Sequence, residues 1–135
     1  MKVDNILVSS HDPNSTSLGP RVKLAGFGYS TELGESRNDT AGMSLGTPMT
    51  MAPELVSNGK PRTIAVDIWA LGVLAYYLCT FGKYPFPGIS KEVVKNKITS
   101  QEPEIDILRQ IRVPDAAINF ISKCLTKDVS ARPTA

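Results

Sequence analysis

Cysteine is scarce in this chain, with two residues in 135. Cys79 and Cys124 stand far apart, each inside an apolar helical pattern. That excludes a stapled secreted scaffold and a zinc site built on paired-cysteine spacing. Both read as buried free thiols in a reducing compartment. Histidine is scarcer still: His11 is the single one, and a lone histidine in a polar loop reads as solvated rather than ligating. Neither sign of charge dominates, since 15 basic against 13 acidic residues leave a formal net charge of +2. That is too little to argue for nucleic acid or an anionic membrane as partner. A long apolar run is missing too. The run from Ile68 to Phe81 is shorter than the roughly 20 residues of a membrane span, and no signal peptide is visible. The expectation is a soluble chain in the cytoplasm with neither nucleic-acid nor membrane partners.

What is present suits one domain, because 41% hydrophobic residues suffice for one core. The stretch from Thr63 to Cys79 organises the rest. Ile64, Ile68, Leu71, Leu74 or Ala75, and Leu78 form one apolar row at helical spacing, and Trp69, Val73 and Tyr76 or Tyr77 form a second. A helix apolar on every side is expected to be buried on every side. Gly82 and Pro85 follow in the usual C-terminal order. Its one charge, Asp67, lies in the first turn, where the helix dipole favours an anion; one reading of it is a helix-capping acid.

The remaining chain divides around that helix. Ile6–Val8 and Val22–Ala25 read as short strands, and the polar stretch 9–20 between them reads as an exposed loop. Residues 26–53 lack sustained periodicity and read as a long irregular segment, a kind that is usually functional or mobile. Ser90 reads as the N-cap of another helix, with Ile89 packing on Val94 as a hydrophobic staple. Asp115 reads as the cap of a third, whose apolar positions are Ala117, Ile118, Ile121, Cys124 and Leu125. Pro103 and Pro114 bound the connection, and Pro133-Thr134 reads as the start of a further helix.

Several of these stretches carry motifs. Asp67-Ile68-Trp69-Ala70-Leu71-Gly72 resembles the Asp-x-Trp-x-x-Gly that opens the central helix of the protein-kinase large lobe. Upstream, 46–54 reads Gly-Thr-Pro-Met-Thr-Met-Ala-Pro-Glu, similar to the close of the kinase activation segment, with Ala52, Pro53 and Glu54 intact. Gly26-Phe27-Gly28 stands after a short strand where that family has Asp-Phe-Gly. Residues 1–8 resemble the second half of the catalytic loop, and Ala131-Arg132-Pro133 the late Arg-Pro motif. Their order is the family's order, so the chain is identified as a large-lobe segment of a eukaryotic-type protein kinase. The resemblance implies a mainly α fold: a helical bundle around one buried central helix, with a small β-hairpin at its N-terminal end (α+β in the full family fold). It divides the chain into a catalytic-loop remnant (1–8), a hairpin with an insert loop (6–25), an activation segment (26–54) and a helical subdomain (55–135).

The resemblance also assigns roles. Lys2 would contact the γ-phosphate of ATP and Asn5 would hold one Mg²⁺, although Asn5 also reads as a turn cap. Leu7, with Leu74 and Leu78, would form the apolar column under the adenine. Phe27 would stack beneath the small lobe, and Glu54 and Arg132 would form a buried ion pair, the alternative being two surface charges. Asp67 would receive backbone N–H groups from catalytic-loop residues that the chain lacks, and must otherwise find donors or stay wet. Lys2 and Gly46-Thr47 resemble the serine/threonine branch. Ser36, Thr40 and Ser44 read either as phosphorylation sites or as ordinary loop polarity.

Departures matter as much. The chain shows no Gly-x-Gly-x-x-Gly flap, no strand lysine and no catalytic Asp, which would fall just before Met1. Val3 replaces the usual proline and Thr50 the usual tyrosine. Gly26 replaces the Asp that chelates Mg²⁺, and glycine has no oxygen ligand to offer a hard cation. The sequence therefore implies a truncated, pseudokinase-like segment, either a non-catalytic binding module or a gene fragment. It would use no cofactor by itself, although its family uses ATP and Mg²⁺. Its uncovered apolar surface would suit another kinase or a small-lobe-bearing protein. The alternative is an excerpt of a longer ATP-dependent serine/threonine protein kinase.

Overall fold

The computed structural model describes residues 1–9, 21–30, 48–57 and 63–135. His11, Ser36, Thr40, Ser44, Gly46 and Thr47 lie outside the described residues.

The chain enters through a 3-10 turn, Val3–Asn5, and runs into strand β1, Ile6–Val8. Strand β2, Val22–Leu24, pairs with it antiparallel, with Ile6 opposite Leu24, Leu7 opposite Lys23 and Val8 opposite Val22. Side chains alternate across a strand, so Ile6, Val8, Val22 and Leu24 share one face. A second 3-10 turn, Phe27–Tyr29, follows directly. Within the irregular stretch the chain forms a 3-10 turn, Pro48–Thr50, and helix α1, Pro53–Val56. Proline at N1 pre-sets the backbone angle of α1 and loses no needed hydrogen bond there; the aperiodic sequence gave no sign of so short a helix.

Helix α2, Ala65–Cys79, is the long central element. Its Trp69, Val73 and Tyr76 row is buried almost completely. The other row departs from the all-round burial that its composition implies. Ile68 and Leu74 are buried, whereas Ile64 is 48% and Leu78 61% exposed. Packing neighbours decide this, and nothing among the described residues covers those two positions. At the C-terminus the Thr80 hydroxyl donates to the carbonyls of Tyr76 (2.8 Å) and Lys83 (3.1 Å). Phe81 and Gly82 then take left-handed backbone angles and turn the chain.

Ser90 caps helix α3, Lys91–Ser100, by accepting from the Val93 N–H at 3.2 Å. The expected staple does not form. Ile89 is fully solvent-exposed, while Val94 is buried and its Cγ2 fills the space beside Gly88. Val94 therefore turns toward the core and away from Ile89. A short helix, α4 (Asp106–Gln110), interrupts the connection between the two prolines. Asp115 is the first residue of helix α5, Asp115–Cys124, and not its cap, because Pro114 occupies the cap position. Its carboxylate still complements the dipole. The 3-10 turn Val129–Ala131 is the last regular element of the given sequence.

The core gathers around α2: Trp69, Val73 and Tyr76 meet Ala52, Phe86, Val94, Ile98, Leu108, Ile118, Ile121 and Leu125. Helix α5 packs along α2, α1 packs on α3, and the turn Pro48–Thr50 touches both α2 and α3. The molecule is mostly helical with one small hairpin, and no helix among the described residues is long and apolar enough to cross a membrane. Cys124 is buried, whereas Cys79 is only partly so; both are free.

Candidate functional site

Two groups of side chains carry the sequence motifs, and the first turns of α2 contribute to both, Asp67 to one and Ala65 and Trp69 to the other. The first is the corner between the N-terminal turn and the hairpin. The Asn5 N–H donates to the Lys2 carbonyl at 3.1 Å, and the Ala25 N–H donates to the Asn5 carbonyl at 2.8 Å. These bonds set Asn5 beside Gly26. Gly26 adopts φ +79°, a left-handed angle that glycine takes at little cost. A side chain at this position would land on the Asn5 amide group. Lys2 is half-exposed, and its Nζ lies 3.3 Å from the Asp4 carboxylate. Leu7 and Phe27 stand 53% and 64% exposed. The Asp67 side chain is 64% exposed, and among the described residues its carboxylate reaches the Met1 α-amino nitrogen, at 3.9 Å.

A divalent cation does not fit this corner. The donors the sequence nominates there reduce to the Asn5 amide, and Mg²⁺ is held through carboxylate oxygens. Asp4 faces Lys2 instead. Among the described residues no cluster of His, Cys, Asp or Glu is suited to a metal.

The second group is buried. Arg132 and Glu54 form a bidentate pair, with Nη1 to Oε1 at 2.8 Å and Nη2 to Oε2 at 3.0 Å. Their side chains are 0% and 3% exposed. The guanidinium also donates to the Ala65 carbonyl (2.7 Å), to the Thr126 carbonyl through Nε (2.9 Å), and weakly to the Lys127 carbonyl (3.4 Å). Its five donors are thus all directed at acceptors, which a planar fork suits and a lysine does not. The Arg132 carbon lies 5.3 Å from the Trp69 ring centroid, and Phe86 stacks on that ring at 5.7 Å. The pair therefore joins α1, the start of α2 and the C-terminal turn around one indole. The Trp69 indole N–H has no partner among the described residues.

Gly72 belongs to the same assembly. A Cβ there would lie 2.6 Å from the Cys124 Cβ and 3.2 Å from Leu125, so glycine lets α5 approach α2 closely. Burial pushes the Cys124 thiol pKa up, against the opposing pull of the Arg132 charge.

Sequence reasoning missed several partners. The Ala65 and Thr126 carbonyls carry no side-chain signal. The Tyr76 hydroxyl donates to the Glu104 carbonyl at 2.8 Å, and burial together with the Glu104 charge pushes its pKa up to about 12. This bond borders a cavity of about 290 Å³ lined by Met49, Tyr84 and Ile107 among others. Only the register of distant segments reveals it.

Comparisons with known proteins agree with this architecture. The protein kinase domain family matches residues 1–135. Calcium/calmodulin-dependent protein kinase type I of Schizosaccharomyces pombe is 36% identical over 138 residues, covering 100% of this chain and 38% of the relative. Serine/threonine-protein kinase ppk11 of the same yeast is 40% identical over 114 residues, covering 84% of this chain and 35% of the relative. The crystal structure of the Rad53 kinase domain and SCD2 superposes with a TM-score of 0.73 at 26% identity, covering 99% of this chain and 42% of that one. The chain thus spans well under half of each of these relatives. With its full length matched and its large-lobe packing in place, the chain belongs to the protein kinase domain family.

Proposed function

We propose that this chain is a large-lobe segment of a serine/threonine-protein-kinase-like domain that keeps the family's frame and lacks its metal grip. It would act as a non-catalytic binding module and not as a phosphoryl-transfer unit. One observation carries this reading: position 26 is a left-handed glycine with the Asn5 amide in the space that a side chain there would take. In the family ATP and Mg²⁺ do the chemistry, and kinase catalysis is mainly positioning and charge neutralisation. Without a carboxylate at 26, neutralisation by the metal fails first. Lys2 supports the same reading, since it pairs with Asp4. The exposed Leu7, Val8, Val22, Leu24 and Phe27 supply an apolar surface for a partner, another kinase or a small lobe. The free cysteines suit a reducing, cytoplasmic setting.

The test is γ-phosphate transfer from ATP to a generic substrate mix by the full chain, with thermal shift in ATP with and without Mg²⁺. The expected result is no transfer above a Lys2→Ala control and no added shift from the metal. Robust transfer abolished by Lys2→Ala overturns the reading.

A second reading is favoured by the limited span of the relatives: the segment serves within a longer ATP-dependent serine/threonine kinase. An in-frame glycine-rich flap and strand lysine upstream of Met1 would support it. Gly26 would still leave transfer weak.

A further inference from the structure

We infer that Asn5 and Gly26 act as one steric unit, in which the Asn5 amide takes the volume of any side chain at position 26, so that an acidic residue there and this placement of Asn5 exclude each other. The inference rests on reading the chain as a kinase large-lobe segment, and it concerns what became of the ligand that remains.

The geometry is direct. A Cβ built on Gly26 meets the nitrogen, carbon and oxygen of the Asn5 amide, all closer than any real contact. The backbone on either side is pinned by Asn5 N–H to Lys2 and Ala25 N–H to Asn5, so relief comes from rotating the Asn5 side chain. Among the described residues that amide has no hydrogen-bond partner. It is placed by the space beside glycine and not by a bond, and it is evicted at modest cost. The left-handed angle does not forbid an acid, because Asp adopts that region more readily than most residues. The obstacle at position 26 is therefore Asn5. The surviving amide is not a standing metal ligand: it fills the corner that a ligand would need to share.

A double-mutant cycle on the full chain tests this, using Gly26→Ala, Asn5→Gly and their combination, with ¹⁵N NMR of the side-chain amides. Alanine at a left-handed angle is strained in both backgrounds, and the cycle removes that common cost. Gly26→Ala is expected to lower Tm by about 4 °C more in the native background than in Asn5→Gly, and to move the Asn5 amide resonances. Equal losses in both backgrounds, or unmoved resonances, overturn the inference. If Gly26→Ala does not fold, a folded double variant supports the coupling and an unfolded one overturns it. Millimolar Mn²⁺ alone is expected to leave the native Asn5 amide no more broadened than other exposed amides, and selective broadening overturns the inference. Phosphate transfer by the native chain would sink the reading above and leave this coupling standing, so the two failures are distinguishable.

Discussion

Arg132 shows how much one side chain decides. With its side chain fully buried, it meets a carboxylate, backbone carbonyls and an indole face. Replacing it with Met leaves the Glu54 carboxylate buried without its counter-charge, and removal of one partner from such a pair costs about 3–5 kcal/mol. Chemical denaturation of Arg132→Met should show a loss of that size. A Glu54→Leu/Arg132→Met double variant should recover only part of it, since the Ala65 and Thr126 carbonyls lose their donor in both. Tyr76 gives a pH signature. Its pKa rises from 10.0 to about 12 on folding. Between those values the native chain keeps the proton and the unfolded chain gives it up. The bound proton therefore stabilises the fold below pH 10, and stability falls as pH climbs toward 12. Melting curves of Tyr76→Phe should lack this component of the alkaline loss.

Among the elements, α2 and α5 carry the core, and their closeness depends on Gly72. Gly72→Ala would press a methyl to 2.6 Å from the Cys124 Cβ. The Cys124 Cβ is fixed to its helix backbone and is not the flexible end of a side chain, so the helices must part. Overpacking of this kind costs about 1–3 kcal/mol, and a drop in the urea midpoint checks it. Helix α3 offers an internal contrast. Ile98 is fully buried and Ile89 fully exposed. Ile98→Ala should cost about 2–5 kcal/mol, while Ile89→Ser should stay within about 0.5 kcal/mol. A working staple at Ile89 would reverse that second expectation, and the same denaturation series reads both.

At the scale of the whole molecule, exposed apolar side chains stand in the helical part too, as at Phe81 and Ile89. The hairpin groups them: Val8, Val22 and Leu24 share one face, with Leu7 on the other and Phe27 alongside. An isolated two-stranded hairpin is marginal in water, and grouped exposed apolar side chains are adhesive. The full chain is expected to bind an environment-sensitive apolar dye and to associate as concentration rises. Leu7→Asn with Phe27→Asn should weaken both without lowering Tm appreciably, because neither side chain is in the core. Dye binding unchanged by the pair would place the sticky surface elsewhere.

Pattern and chemistry in the sequence alone were enough for the mainly helical class with its hairpin, the central helix, the Ser90 cap and the kinase resemblance. Each depends on spacing along the chain or on short contiguous motifs, which need no knowledge of what packs where. Glycine at 26 also declared the missing carboxylate, because composition at one position settles whether an oxygen is there. Tertiary structure alone decided the rest. It set which side of α2 would stay wet at Ile64 and Leu78, and it left Asp67 in solvent. It turned Val94 away from Ile89, and it put the Asn5 amide into the space that Gly26 leaves open. These outcomes turn on burial and on contacts between segments far apart in sequence, and periodicity carries no information about those.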